Sequence, residues 1–166
     1  MQTPLSIIMT RDTRLSLEEK ATNWETMKHI HLVGRNIHKM VTRLLKRADE
    51  HDLSKLEPPE VEDFTKYTPI LSGLTYGSEE FDKCKSKMQK TLDHHYANNR
   101  HHPEHHKNGI EDMTLVDIME MFCDWAASCK RHEDGNLRKS IEINGKRFKM
   151  DPQLIKIFEN SVDLVE

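Results

Sequence analysis

The sequence predicts a mostly α fold: one compact helical domain with a short β-hairpin near residues 140–148. Three observations carry this. Apolar residues recur at three- and four-residue steps in three long stretches, which is the period of a helix face. Capping pairs, prolines and glycines punctuate those stretches where helices begin and end. Only 36% of residues are hydrophobic while 32% are charged, the balance of a polar surface around modest apolar stripes.

Residues 1–15 lack a sustained period and read as an N-terminal arm; residues 16–166 form the helical domain. Ser16 with Glu19, or Thr22 with Glu25, matches a capping box that opens the first helix. Ile30, Val33, Ile37, Met40, Val41, Leu44 and Ala48 carry its stripe to about Glu50. Pro58 and Pro59 then impose a turn, and residues 60–77 give a short helix and a loop. Acids at Glu79 and Glu80 favour a helix start near Ser78. Phe81, Cys84, Met88 and Leu92 are its buried stripe, and Pro103 sets its latest end. Thr114 with Asp117 caps a helix bearing Leu115, Ile118, Met119, Phe122, Trp125 and Ala126, closed by the Asp134-Gly135 turn. The Ile141/Ile143 alternation around Asn144-Gly145 reads as the hairpin. Asp151-Pro152 opens a last helix through Ile155, Phe158 and Val162.

Composition narrows the function. The 166 residues carry 25 Lys+Arg and 28 Asp+Glu, a net charge of −3, which argues against a dedicated duplex-DNA binder. No apolar run approaches the roughly 20 residues of a membrane span, and no signal-peptide core is visible. Cys84, Cys123 and Cys129 include no CxxC pair, so a reducing cytoplasm is the expected compartment. Histidine is the unusual component: six of 11 fall between His94 and His106.

Three segments can carry chemistry. His51-Asp52 offers an imidazole and a carboxylate to a divalent cation, with Lys55 placed to meet a phosphate. The tract from His94 to His106 holds three HH doublets; a solvated polar loop is its bland alternative. Extending the Phe81–Leu92 stripe brings His95 inward and His94 to the flank. His101 and His102 follow less securely, while His105 and His106 lie past the proline. In the third segment Asp124 lies at the edge of the apolar stripe, sharing a side with Asp117, whereas Glu120 points nearly opposite the stripe's centre. Asp124 is therefore the better inward carboxylate. Of the early histidines, an unbroken helix would hold His29 roughly 33 Å from His51, so it joins the site only if the chain bends, with Gly34 the place to do so.

The order of an early His, His51-Asp52-x-x-Lys55, a His cluster and Asp124 resembles the HD superfamily of metal-dependent phosphohydrolases. HDLSK resembles the HDxGK motif of its cyclic-dinucleotide phosphodiesterase branch, with Ser54 in place of Gly. More closely, TMKHI (26–30), HDLSKLEPPE (51–60), LTYGSEEF (74–81), HHYANNRHHPEHH (94–106) and EMFCDWAASCKRHEDG (120–135) resemble an uncharacterised family from phages and bacteria, over about residues 22–162. That resemblance favours His29 over His31 as the early histidine. The HD resemblance implies an HD-like helical bundle holding one or two divalent ions (Fe, Mn, Zn, Co or Mg) on His29, His51, Asp52, His94, His95, His101, His102 and Asp124. Lys55 and Arg100 would neutralise phosphate charge and Glu104 would move protons. The substrate would be a small phosphoester such as a nucleotide, in the host cytoplasm if phage-encoded, with a homo-oligomer open. Two other readings are a di-iron HD-like oxygenase and a non-enzymatic module closed by a structural metal.

Overall fold

In the computed structural model, residues 15–75, 77–131 and 135–165 are described. The expected arm at 1–15 and His132 fall almost entirely outside them. By its contacts the chain divides into two units, residues 1–43 and 44–166.

The first unit is the greater part of one long helix, α1 (Leu17–Glu50). Of the two capping pairs, Ser16 and Glu19 are the one used: the Ser16 amide donates to Glu19 Oε2 and the Glu19 amide to Ser16 Oγ. The helix runs unbroken through Gly34, where among the described residues a Cβ would meet nothing beyond its own helical turn within 4 Å.

The second unit packs six further α-helices: α2 (Glu60–Ser72), α3 (Glu79–Ser86), α4 (Gln89–Asn98), α5 (Leu115–Cys129), α6 (Leu137–Arg147) and α7 (Pro152–Ser161). Short 3₁₀ turns at Leu53–Leu56, Pro103–His105 and Gly109–Asp112 connect them. Two apolar clusters anchor it. Tyr67, Cys84, Met88 and Leu92 bind α2, α3 and α4, and Phe64 packs on them. Met121, Phe122, Ala126, Leu137, Ile141, Met150, Phe158 and Val162 bind α5, α6 and α7. The Phe122 and Phe158 rings stack 5.2 Å apart in that second core.

Two expectations need correction. No strand is present among the described residues, and the segment expected as a hairpin is helix α6. Its buried positions Leu137, Ile141, Asn144 and Gly145 follow the helical steps of four, three and one, and Asn136 caps it by accepting from the Lys139 amide. Asn144-Gly145 is no turn. Gly145 lets α7 come close: a Cβ there would lie 2.9 Å from Ile155 Cδ1. The fold class is therefore all-α, without the hairpin. The helix expected from Ser78 is also two helices, broken at Lys87 and Met88. Ser78 does cap the first, accepting from the Phe81 amide.

Candidate metal centre

The centre is built where three pieces of the second unit meet: the turn after α1, helix α4 with the loop that follows it, and α5. Asp52 adopts a left-handed backbone, φ 57° and ψ 14°, which short polar residues tolerate. This turns the chain out of α1 into the Leu53–Leu56 turn and sets His51 and Asp52 side by side. Helix α4 supplies His95 from its buried face, only 2% exposed. The loop beyond Asn99 supplies His101 and His102.

On α5 the opposite edges of one helix do different work. Phe122 and Ala126 face the apolar core, while Glu120 and Asp124, four residues apart, face the histidines, and Asp117, one turn earlier on that side, meets Arg47 and Arg100. Glu120 is thus buried and inward, contrary to the position the stripe gave it. A helix covered on two sides has two inward faces, and the apolar stripe marks only one.

The imidazole geometry is directional. Glu60, fully buried on α2, accepts from His95 Nδ1 at 2.9 Å. Glu120 Oε1 accepts from His51 Nδ1 at 2.9 Å and lies 3.1 Å from His101 Nδ1. Carboxylates behind the Nδ1 atoms leave each Nε2 lone pair facing the other way. Those Nε2 atoms converge. His95 Nε2 is 2.9 Å from His102 Nε2 and 3.3 Å from Asp52 Oδ1; His101 Nε2 is 3.6 Å from the same oxygen. His51 Nε2 lies 3.4 Å from Asp52 Oδ2 and 3.7 Å from Asp124 Oδ1. Ligand atoms held about 2.1 Å from one cation are themselves about 3 Å apart, so these separations fit a shared ion. Among the described residues, buried Asp52 Oδ1 and both ring nitrogens of His101 have no hydrogen-bond partner, and a buried polar atom left so is costly unless something else satisfies it. Three overlapping groups of candidate ligands result: Asp52, His95, His101 and His102; His51, His101 and Glu120; His51, Asp52 and Asp124.

Charge follows the same plan. Burial, with the His101 and His95 imidazoles beside it opposing an added positive charge, pushes His102 down to about 2, and burial together with Lys55 lowers His95, which favours the neutral imidazole that can donate a lone pair. Burial pushes Asp124 and Glu120 upward, but the histidines and nearby cations outweigh it and hold both at about 2. His51, beside Asp124 and Glu120, is raised to about 10, so a cation held at its Nε2 would take the place of a proton there. Outside the ligands, Arg47 binds Glu120 Oε2 at 2.5 Å and Asp117 Oδ1 at 2.9 Å. Ser54 donates to Glu60 and accepts from Asn99.

The remaining sequence candidates are placed as follows. His94 is half exposed and bonds Glu60 Oε1 at 2.7 Å, outside the ligand groups. His29 stands exposed on α1, in the first unit and in no ligand group. Lys55 Nζ lies 2.5 Å from Asp52 Oδ2. Arg100 pairs with Asp117, and Glu104 with Arg147. His105 and His106 bind the carbonyls of Tyr96 and Arg100, bracing the loop. Sequence reasoning sets Glu120 on the outward side and does not raise Glu60, yet both are partners of the ligands. The acid steps 117, 120 and 124 were the signal for Glu120; for Glu60 no periodic signal existed.

A family model described as a family of unknown function (DUF5662) matches residues 18–164. The chain belongs to that family. No curated protein and no solved structure matches it. This DUF5662 chain carries a buried cluster of His, Asp and Glu side chains able to hold a divalent metal ion. No helix among the described residues is long and apolar enough to cross a membrane.

Proposed function

We propose that the protein is a divalent-metal-dependent phosphohydrolase acting on a small phosphoester such as a nucleotide. The observation that carries the reading is the convergence of imidazole Nε2 atoms and the Asp52 and Asp124 carboxylates in overlapping groups of ligand spacing, with Glu60 behind His95, Glu120 behind His51 and His101, and Lys55 beside Asp52. His51, Asp52, His95, His101, His102 and Asp124 are the residues that would hold the metal. A divalent ion there supplies a water of lowered pKa and positive charge for a phosphoryl oxygen.

A cavity of about 200 Å³ supports the substrate class. Its wall includes His102 and Asp124, so a molecule inside it reaches the ligand cluster directly. Lys85, Lys139 and Arg147 line the same space and suit an anionic group, while Trp125 and Tyr96 offer flat apolar surface for a ring. Burial and Arg147 lower the Lys85 ammonium, so an anion entering beside it restores charge balance. Lys55 acts mainly on Asp52, holding that carboxylate in place through an ion pair at 2.5 Å. Glu104 at the cavity wall is a candidate to carry a proton, with Arg147 fixing its position. The spacing of His51-Asp52 from Lys55 also resembles the HD phosphohydrolase motif.

Metal analysis of anaerobically purified protein, followed by a nucleotide panel with phosphate detection, tests this. The expected result is bound divalent metal and metal-dependent phosphate release, both lost in His51→Ala and Asp52→Ala. Failure to bind any divalent ion, or oxygen consumption without phosphate release from loaded protein, overturns it.

A further inference from the structure

Helix α1 buries no side chain along its 34 residues. Isolated helices gain most of their stability in proteins from packing an apolar face, and monomers rarely expose a contiguous apolar patch above a few hundred Å². Yet Trp24 is 66% exposed, Ile30 53%, Ile37 55%, and Val33, Met40 and Val41 are exposed with them.

Within 27–41, Met27, Ile30, Gly34, Ile37 and Val41 recur at alternating steps of three and four, the seam spacing of paired helices. Val33 and Met40 flank the seam on one side, His31 and His38 on the other. None of these nine positions holds Lys, Arg, Asp or Glu. The charges, Lys28, Arg35 and Lys39, fall on the far face.

We infer that this face pairs antiparallel with the same face of a second copy of the chain. The pattern is self-complementary. Laid antiparallel about a twofold axis between residues 35 and 36, Ile30 meets Val41 of the other copy and Gly34 meets Ile37; on the flank, Val33 lies two residues, about 3 Å along the axis, from Met40 of the other copy, and the N-terminal tilt of both side chains turns them toward each other, each pair occurring twice as a closed dimer requires. Gly34 is the independent support. A mid-helix glycine costs up to about 1 kcal/mol relative to alanine, and among the described residues nothing beyond its own helical turn lies within 4 Å of where its Cβ would be. Close approach of another helix gives that glycine a purpose, and its partner in the pairing is the large Ile37. The exposed apolar strip offers on the order of 500 Å² per partner, the size of the smaller, reversible interfaces, which suits a dimer formed at tens of micromolar.

Sedimentation velocity and light scattering on the full, metal-loaded chain at tens of micromolar test the pairing. A dimer is expected. Ile37→Glu should raise its dissociation constant by about 100-fold or more while leaving metal content unchanged, which shows that the second unit still folds. Val33→Glu alone should weaken the dimer, and the double variant Val33→Glu/Met40→Lys should restore it, because only the antiparallel register brings 33 against 40. A monomeric wild type, an assembly larger than two, or a dimer indifferent to Ile37→Glu overturns the proposal. Failure of the double variant to rescue overturns the register.

Discussion

At the scale of single residues, the centre depends on groups that touch no ligand position. Glu60 is fully buried, receives the His95 Nδ1 proton, and is held by the Ser54 hydroxyl. Its charge raises the basicity of the imidazole and fixes the tautomer. Glu60→Gln keeps the volume and an acceptor but removes the charge, so metal affinity should fall about 10–100-fold, read by competition against a chelator. Unchanged affinity would mean that Glu60 is only a packing group. Asp117 is a different case. Burial alone would raise its carboxyl, but the Thr114 amide and hydroxyl and the Arg100 guanidinium together hold it at about 2, below the ordinary 3.8. A carboxyl depressed on folding contributes stability that is present above its ordinary value and lost as pH falls toward its folded one. Asp117→Asn should therefore cost on the order of 1–3 kcal/mol at pH 6, with the gap to wild type closing between pH 4 and 2. Urea unfolding at a series of pH values measures it, and a gap constant with pH would contradict the assignment.

The elements show which parts of this structure were readable from the chain and which were not. Helix starts were readable because capping is local: Ser16, Ser78, Thr114 and Asp151 each bond the amide two or three residues ahead. His95 was readable because it continues the buried row of Cys84, Met88 and Leu92 despite the break between α3 and α4. Helix α6 was misread because Asn-Gly is a turn signal only when the glycine serves the backbone, and here Gly145 serves the contact with Ile155. Gly145→Val should accordingly destabilise the protein by about 1–3 kcal/mol, since Ile155 must be displaced, whereas Gly145→Ala stays within about 1 kcal/mol of wild type. Thermal denaturation of the two variants distinguishes them; equal, near-zero effects would show that α7 yields freely. The second face of α5 and the role of Glu60 were beyond sequence reasoning for one reason. Both depend on which elements pack on which sides, and that is a property of tertiary contact rather than of period.

For the molecule as a whole, the polar centre is the join between two cores. The Tyr67–Leu92 cluster holds α2, α3 and α4; the Met121–Val162 cluster holds α5, α6 and α7. His95 comes from the first group, Asp124 and Glu120 from the second, and His51, Asp52, His101 and His102 from the connections. Without an ion, the join places ionised Asp124 and Glu120 beside histidines of opposed demands: two driven neutral by burial and their neighbours, one held protonated by carboxylates. An ion bound to the folded ligands alone stabilises the folded state by mass action, by about 2.7 kcal/mol at a free concentration 100 times the dissociation constant. For a unit of this size that amounts to roughly 8–12 °C in Tm. Chelation should lower Tm by that amount while far-ultraviolet circular dichroism at 20 °C stays helical, because each apolar core is complete without the ion. His51→Ala should melt at the same temperature with and without metal. If instead the chelated protein loses its helical signal at 20 °C, the metal is closing the fold, and the two cores are not the independent anchors that their packing indicates.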